Sequence, residues 1–244
     1  MRKVTVTFFI NLTFFLLSSC TVSHVNSKIN QPPTKSFVKI LNTTNVKSCV
    51  DPSDLKCPIG IFKHTGSGMA INLVHDKMTV ITAGHVCDVA PSKRIKEISQ
   101  TIEVMDHLSN VHQAWPVLIS HNNQKGSSDL CLLWVPTLQV EKINISKIEP
   151  VVGNNLYYIG APLGIYHPPT VPIIDGIYSG IISPSSALVT SPAVGGSSGA
   201  AMLNYNNKIV GILWGVSEGF NSVSLMTNYK SFLIFIDKAK QKFD

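Results

Sequence analysis

Seven short strand-like runs constrain this chain to a domain built mainly of β-sheet. They are Gly68–Val74, Met78–Thr82, Leu130–Val135, Asn155–Ile159, Ile177–Ile182, Ala200–Leu203 and Lys208–Trp214. None exceeds seven residues, and turn residues separate them. His75-Asp76-Lys77 reads as the hairpin turn between the first two. Leu130–Val135 is apolar throughout, as a buried strand is. Many short strands punctuated by Gly and Pro indicate an all-β sandwich or barrel. The clearest helix runs from about Tyr229 to Gln241, where Phe232, Phe235, Ile236 and Ala239 share one face. Lys238, Lys240 and Lys242 suit the negative end of its dipole. Pro136–Val151 reads as a linker between two halves, and no internal repeat is visible.

The hydrophobic share of 44% and charged share of 14% place the chain among folded domains, one or two small ones. Its formal charge is +6, of which Arg2 and Lys3 supply two. No basic run exceeds two residues and no basic stripe interleaves with aromatics, so the charge reads as a solvated surface and no nucleic-acid partner is expected. The start is positive, and Val4–Leu17 is mostly apolar. That length fits a signal-peptide core and is short for a membrane span of about 20 residues. Leu17-Ser18-Ser19-Cys20 resembles the bacterial lipobox, in which the chain is cut before a Cys that carries lipid. Residues 1–19 are thus expected to be a signal peptide and residues 20–57 a lipidated tether, polar through about Lys47. The implied location is exported: periplasmic or cell-surface lipoprotein of a bacterium, with the membrane as a partner through Cys20. An ordinary signal peptide with an unmodified Cys20 is the alternative. If Cys20 carries lipid, Cys49, Cys57, Cys87 and Cys131 remain, an even number in an exported chain. Four cysteines allow three pairings, and free buried thiols are also open.

Three local motifs carry chemistry: Thr82-Ala83-Gly84-His85-Val86-Cys87, Ser128-Asp129-Leu130-Cys131-Leu132-Leu133 and Gly195-Gly196-Ser197-Ser198-Gly199-Ala200. A nucleophilic Ser needs a tight turn that exposes its hydroxyl, and glycines permit that backbone. Gly196-Ser197-Ser198-Gly199 fits G-x-S-G with Ser198 reactive, and the N–H groups of Gly196 and Ser198 would then form the oxyanion hole. The same stretch also fits G-x-S-x-G, the elbow of an α/β-hydrolase, with Ser197 reactive. That fold places its His after the Ser, and the last His here is His167. His85 follows a strand and a turn of small residues, and imidazole titrates near neutrality, as a base that takes and returns a proton should. Asp129 opens an apolar strand, where a carboxylate is expensive unless hydrogen-bonded. The ring N–H of His85 is the natural partner.

The order His, Asp, Ser in these contexts resembles the chymotrypsin-like serine proteases. Gly66-Ser67-Gly68-Met69-Ala70-Ile71 is similar to the strand that precedes the catalytic His in that family. Gly160-Ala161-Pro162-Leu163-Gly164 and Gly176-Ile177-Tyr178-Ser179-Gly180-Ile181-Ile182-Ser183 resemble segments of bacterial high-temperature-requirement proteases. Val210-Gly211-Ile212-Leu213-Trp214-Gly215 looks like the family's substrate-pairing strand. The resemblance implies two perpendicular six-stranded β-barrels followed by a C-terminal α-helix. The barrels would occupy about 58–140 and 150–228 of a protease domain spanning 58–244, and the helix about 229–241. It implies a protein or peptide substrate, and no metal or cofactor. If His85 and Asp129 touch, Cys87 and Cys131, each two residues further on, come close, so the favoured pairing is Cys87–Cys131 with Cys49–Cys57.

Two departures from the family pattern matter. Digestive members carry Asp just before the nucleophile, where it binds a new N-terminus after cleavage; here the position is Ser197. Activity is therefore not expected to depend on that ion pair. By analogy the floor of the specificity pocket lies near Pro192, beside Ala193 and Val194, with Leu213, Trp214 and Gly215 along the substrate. No acid is there, so a small or apolar residue before the scissile bond is expected. No PDZ-like domain is expected after the helix. The expected function is an endopeptidase; the alternative is a binding or scaffold lipoprotein on the same fold that does not turn over.

Overall fold

The computed structural model describes residues 31–88, 94–120, 128–217 and 219–243. The signal segment and Cys20 lie outside these residues. Twelve strands form two closed six-stranded antiparallel barrels, as the resemblance implies. The first barrel contains β1 (Phe37–Cys49), β2 (Gly60–Ile71), β3 (Thr79–Thr82), β4 (Ile95–Met105), β5 (Val111–Ser120) and β6 (Leu130–Trp134), in the order β1-β2-β3-β6-β5-β4. The second contains β7 (Asn155–Ile159), β8 (Ile173–Ile181), β9 (Ser186–Thr190), β10 (Ala201–Asn204), β11 (Ile209–Ser217) and β12 (Phe220–Thr227), in the order β10-β11-β12-β9-β8-β7. A one-turn helix, α1 (Gly84–Cys87), follows β3, and α2 (Tyr229–Lys240) ends the fold.

The first barrel begins earlier than expected. Residues 37–57 are not tether: β1 pairs with both β2 and β4, and Cys49 bonds to Cys57. The tether reading fails because β1 alternates as a strand does, but its inward positions include Asn42 and Thr44 as well as Val38, Ile40 and Val46. Apolar alternation is thereby broken in the sequence. Asn42 is nevertheless useful inside: its Nδ2 donates to the Val86 carbonyl at 2.8 Å, beside His85.

Register explains how the motifs meet. In the antiparallel pair β3–β6, Thr82 lies opposite Cys131. The chain leaves β3 toward His85 at the same end at which it enters β6 from Asp129. The Cys87–Cys131 disulfide joins these two segments across a sequence separation of 44. In the chain-entropy account, closing a loop of that size contributes about 4 kcal/mol. In the second barrel, Ala201 lies opposite Ile212, so Ser198 precedes β10 at the end where β11 reaches Leu213 and Trp214.

A core cluster between the barrels contains Phe37, Met69, Ile71, Leu130 and Leu132 from one side and Tyr157, Ile159 and Ile212 from the other. Phe232, Phe235, Ile236 and Ala239 of α2 join it, on the one face their spacing dictates. Asn228 caps this helix by accepting from the Lys230 N–H at 2.9 Å. The connection between β6 and β7 touches both barrels, bridging Ile71 through Ile143 and Ile209 through Ile145.

Candidate active site

His85 sits in α1, and Asp129 immediately precedes β6. The Asp129 carboxylate accepts twice from His85: Oδ1 from the backbone N–H at 2.8 Å, and Oδ2 from Nδ1 at 2.5 Å. A carboxylate can only accept, so this pairing asks for a proton on Nδ1 and turns Nε2 away from Asp129. The Asp129 side chain is 8% exposed and the His85 ring 48% exposed. The imidazole is thus anchored on one edge and open on the other. Gly84 is required for this approach: a Cβ there would lie 2.5 Å from Asp129 Oδ1 and 2.4 Å from the Ser120 carbonyl oxygen.

The loop from Gly195 to Ala200 distinguishes its two serines. Ser197 is buried, 0% exposed, whereas Ser198 is half-buried. The Ser197 hydroxyl points inward, 3.4 Å from Tyr158 Oη and 3.4 Å from the Val194 N–H that donates to it. The Ser198 loop also lies against the His85 loop. A Cβ on Gly199 would meet Thr82 Oγ1 and the Ser67 carbonyl oxygen at 2.0 and 2.1 Å. A Cβ on Gly66 would meet Val86 Cγ1 at 2.7 Å and the Ser198 carbonyl oxygen at 3.2 Å. Only glycines let these backbones approach so closely.

Gly196 has φ +90°, a conformation L side chains rarely adopt. The Gly195 carbonyl accepts from the Leu163 N–H at 2.7 Å. In a trans peptide the C=O and the following N–H point in opposite directions, so this bond turns the Gly196 N–H away from Leu163. Among the described residues, neither the Gly196 N–H nor the Ser198 N–H is used in a backbone hydrogen bond within the loop. Leu163 itself has φ +52° in a 3-10 turn over Pro162–Gly164.

Of the expected substrate contacts, Pro192 is exposed, Ala193 is buried, and Val194, Trp214 and Gly215 are partly exposed. Leu213 differs from expectation. It is 1% exposed within the second-barrel core, and its carbonyl accepts from the Gly199 N–H at 2.7 Å. Its backbone holds the Ser198 loop, while its side chain packs in the core. The motif resemblance blurred this, because it gave the strand without its facing.

Three supporting residues escaped sequence reasoning. Tyr158 Oη donates to the Pro192 carbonyl at 2.7 Å, and burial pushes its phenol pKa up, keeping it a neutral donor. Leu163 acts through its N–H, which no side-chain pattern reveals. Ser67, 0% exposed, bonds across the barrel interface. It lies in the Gly66-Ser67-Gly68 motif, whose glycines drew attention while the serine between them did not.

The fold is similar to that of an inactive mutant form of Rv3671c from M. tuberculosis, at 17% identity and TM-score 0.59, covering 89% of this chain and 92% of that one. The Rv3671c protease in its inactive form is similar at 16% identity and TM-score 0.59, with coverage of 88% and 94%. A serine endoprotease from Yersinia pestis is similar at 18% identity and TM-score 0.60, over 88% of this chain and 66% of that one. No curated protein matches the sequence. The family profile of the trypsin-like peptidase domain matches residues 66–212, more than half of the chain and a span holding His85, Asp129 and Ser198; the chain belongs to the trypsin-like peptidase family of serine proteases.

Proposed function

We propose that the protein is an exported, lipid-anchored serine endopeptidase in which Ser198 is the nucleophile, His85 the general base and Asp129 the group that orients it. The observation that supports this reading is the pair of bonds from the His85 backbone N–H and Nδ1 to Asp129, which directs Nε2 away from the carboxylate. Ser198 Oγ–H gives its proton to His85 Nε2 as Oγ bonds to the peptide carbonyl carbon. The charge on the carbonyl oxygen falls to the N–H groups of Gly196 and Ser198. His85 then protonates the leaving amine, and a water molecule hydrolyses the ester by the same route in reverse. Pro192, Val194, Trp214 and Gly215 line the substrate, with Ala193 buried behind them, and the preference is for small or apolar residues before the scissile bond.

A p-nitrophenyl peptide ester is expected to give a burst of about one equivalent per protein, with a matching mass gain on the peptide containing Ser198. Neither a burst nor peptide hydrolysis from folded protein would favour a non-catalytic binding lipoprotein instead.

Export is supported by the two disulfides, which persist in oxidising compartments. No helix among the described residues is long and apolar enough to cross a membrane. The proposed attachment is through Cys20. Expressed in a bacterium, the chain is expected to incorporate an alkynyl fatty acid and partition into detergent; Cys20→Ala should abolish both. Labelling that survives Cys20→Ala contradicts the anchor.

A further inference from the structure

We propose that the Ser67 hydroxyl is the positioning group that holds the oxyanion pocket formed. The inference rests on the reading of Ser198 as nucleophile. It starts from an uncharged position: Ser197 stands where digestive relatives carry Asp, and its hydroxyl makes only 3.4 Å contacts. No carboxylate is present at that position to pull the loop into shape. Neutral hydrogen bonds from neighbouring segments must do so.

Two peptide groups flank Gly196: the first carries its N–H, and the second anchors the residue on its other side. The Gly195 carbonyl is held by the Leu163 N–H at 2.7 Å. The Gly196 carbonyl is held by Ser67 Oγ–H at 2.8 Å. The same Ser67 oxygen accepts from the Ala161 N–H at 2.9 Å, at the start of the turn that presents Leu163. One hydroxyl therefore uses its donor on one anchor and an acceptor lone pair on the segment that supplies the other. The backbone of Ser67 binds the same loop: its N–H donates to the Ser198 carbonyl at 2.8 Å. Its carbonyl accepts from Thr82 Oγ1 at 2.7 Å, at the root of the His85 loop. Ser67 belongs to β2 of the first barrel, whereas Ala161, Gly196 and Ser198 lie in loops between strands of the second. The barrel interface thus fixes the pocket.

Removal of the hydroxyl leaves the Gly196 carbonyl and the Ala161 N–H without these partners in a buried site. Gly195 and Gly196 permit the relieving motion, because both tolerate rotated peptide planes. The Gly196 N–H lies in the Gly195–Gly196 plane, which Leu163 holds; once the Ala161 turn and the Gly196 carbonyl lose Ser67, that plane is free to rotate and takes the N–H off the developing oxyanion. Ground-state substrate contacts along Trp214 and Gly215 stay in place, so the loss falls on kcat.

The test compares Ser67→Ala with wild type on a peptide amide, alongside affinity for a peptide boronate whose adduct oxygen occupies the pocket. Expected are a roughly 10²-fold lower kcat, KM within about threefold, and boronate affinity lower by about the same factor as kcat. A cooperatively melting Ser67→Ala with wild-type kcat overturns the inference, as does a loss confined to KM. If Ser67→Ala does not fold, Ser67→Cys keeps the side-chain size with a weak donor. It should lose at least about tenfold in kcat at unchanged KM, and wild-type kcat there is equally contrary. Ser198→Ala run in parallel separates the two readings. If that variant is inactive while Ser67→Ala is not impaired, only the role of Ser67 fails; if Ser198→Ala remains active, the nucleophile assignment fails.

Discussion

Ser198→Ala is expected to lower kcat for peptide hydrolysis by about 10⁶-fold while leaving the thermal transition close to that of wild type. The hydroxyl is half-buried at the loop surface, and its residue holds the fold through its backbone: the Ser198 carbonyl accepts from the Ser67 N–H. An Ala keeps that bond and removes only the attacking oxygen. Residual activity, if measurable, would come from the oxyanion donors acting on water, which typically retain about 10³–10⁴-fold over the uncatalysed rate. Ser197→Ala should behave in the opposite way. Its hydroxyl makes two long contacts in the core, so its loss is worth about 1 kcal/mol of stability or less and leaves the nucleophile present. Peptide hydrolysis by purified variants, with cooperative melting as the control, decides between them. A Ser198→Ala variant retaining more than a tenth of wild-type kcat would be incompatible with the proposed mechanism.

Asp129→Asn is expected to lower kcat at neutral pH by about 10⁴-fold with little change in KM. The carboxylate satisfies two donors at once, the His85 backbone N–H and Nδ1–H. An amide offers one accepting oxygen and one donating nitrogen. Facing the backbone N–H with the amide nitrogen would oppose two donors in a buried spot beside Gly84. The oxygen therefore stays on the backbone, and the amide nitrogen turns toward Nδ1. The ring must then place its proton on Nε2, the edge meant to receive the proton of Ser198. The base is lost although the geometry survives. A fall of less than tenfold, in a variant whose His85 ring shows the Nδ1-protonated tautomer by NMR, would remove Asp129 from this role.

The residues proposed to react stand out in the sequence because each sits in a compact motif beside a strongly patterned strand. Leu130–Trp134 and Thr79–Thr82 are apolar or β-branched enough to be read directly, and their pairing brings Asp129 to His85. α2 was legible to within a residue at its C-terminal end, because its buried face repeats at helical spacing. Strands with mixed inward faces were not. β1 buries Asn42 and Thr44, most of β4 is exposed, and Pro116 interrupts the apolar pattern of β5 beside a register shift. The supports of the site were hidden for a further reason. Leu163, Leu213 and Gly195 act through backbone groups, and Ser67 acts across an interface between segments about a hundred residues apart. Only three-dimensional placement gives such residues meaning.

The central claim is that Ser198, activated by His85, is the reactive oxygen. A fluorophosphonate probe reads this directly, because it phosphonylates a serine hydroxyl only where an adjacent base activates it and an oxyanion pocket receives the new charge. Wild-type protein and Ser197→Ala are expected to be labelled, and Ser198→Ala is expected to be silent. Labelling that is lost in Ser197→Ala and kept in Ser198→Ala, or absent from folded wild type altogether, would contradict the account.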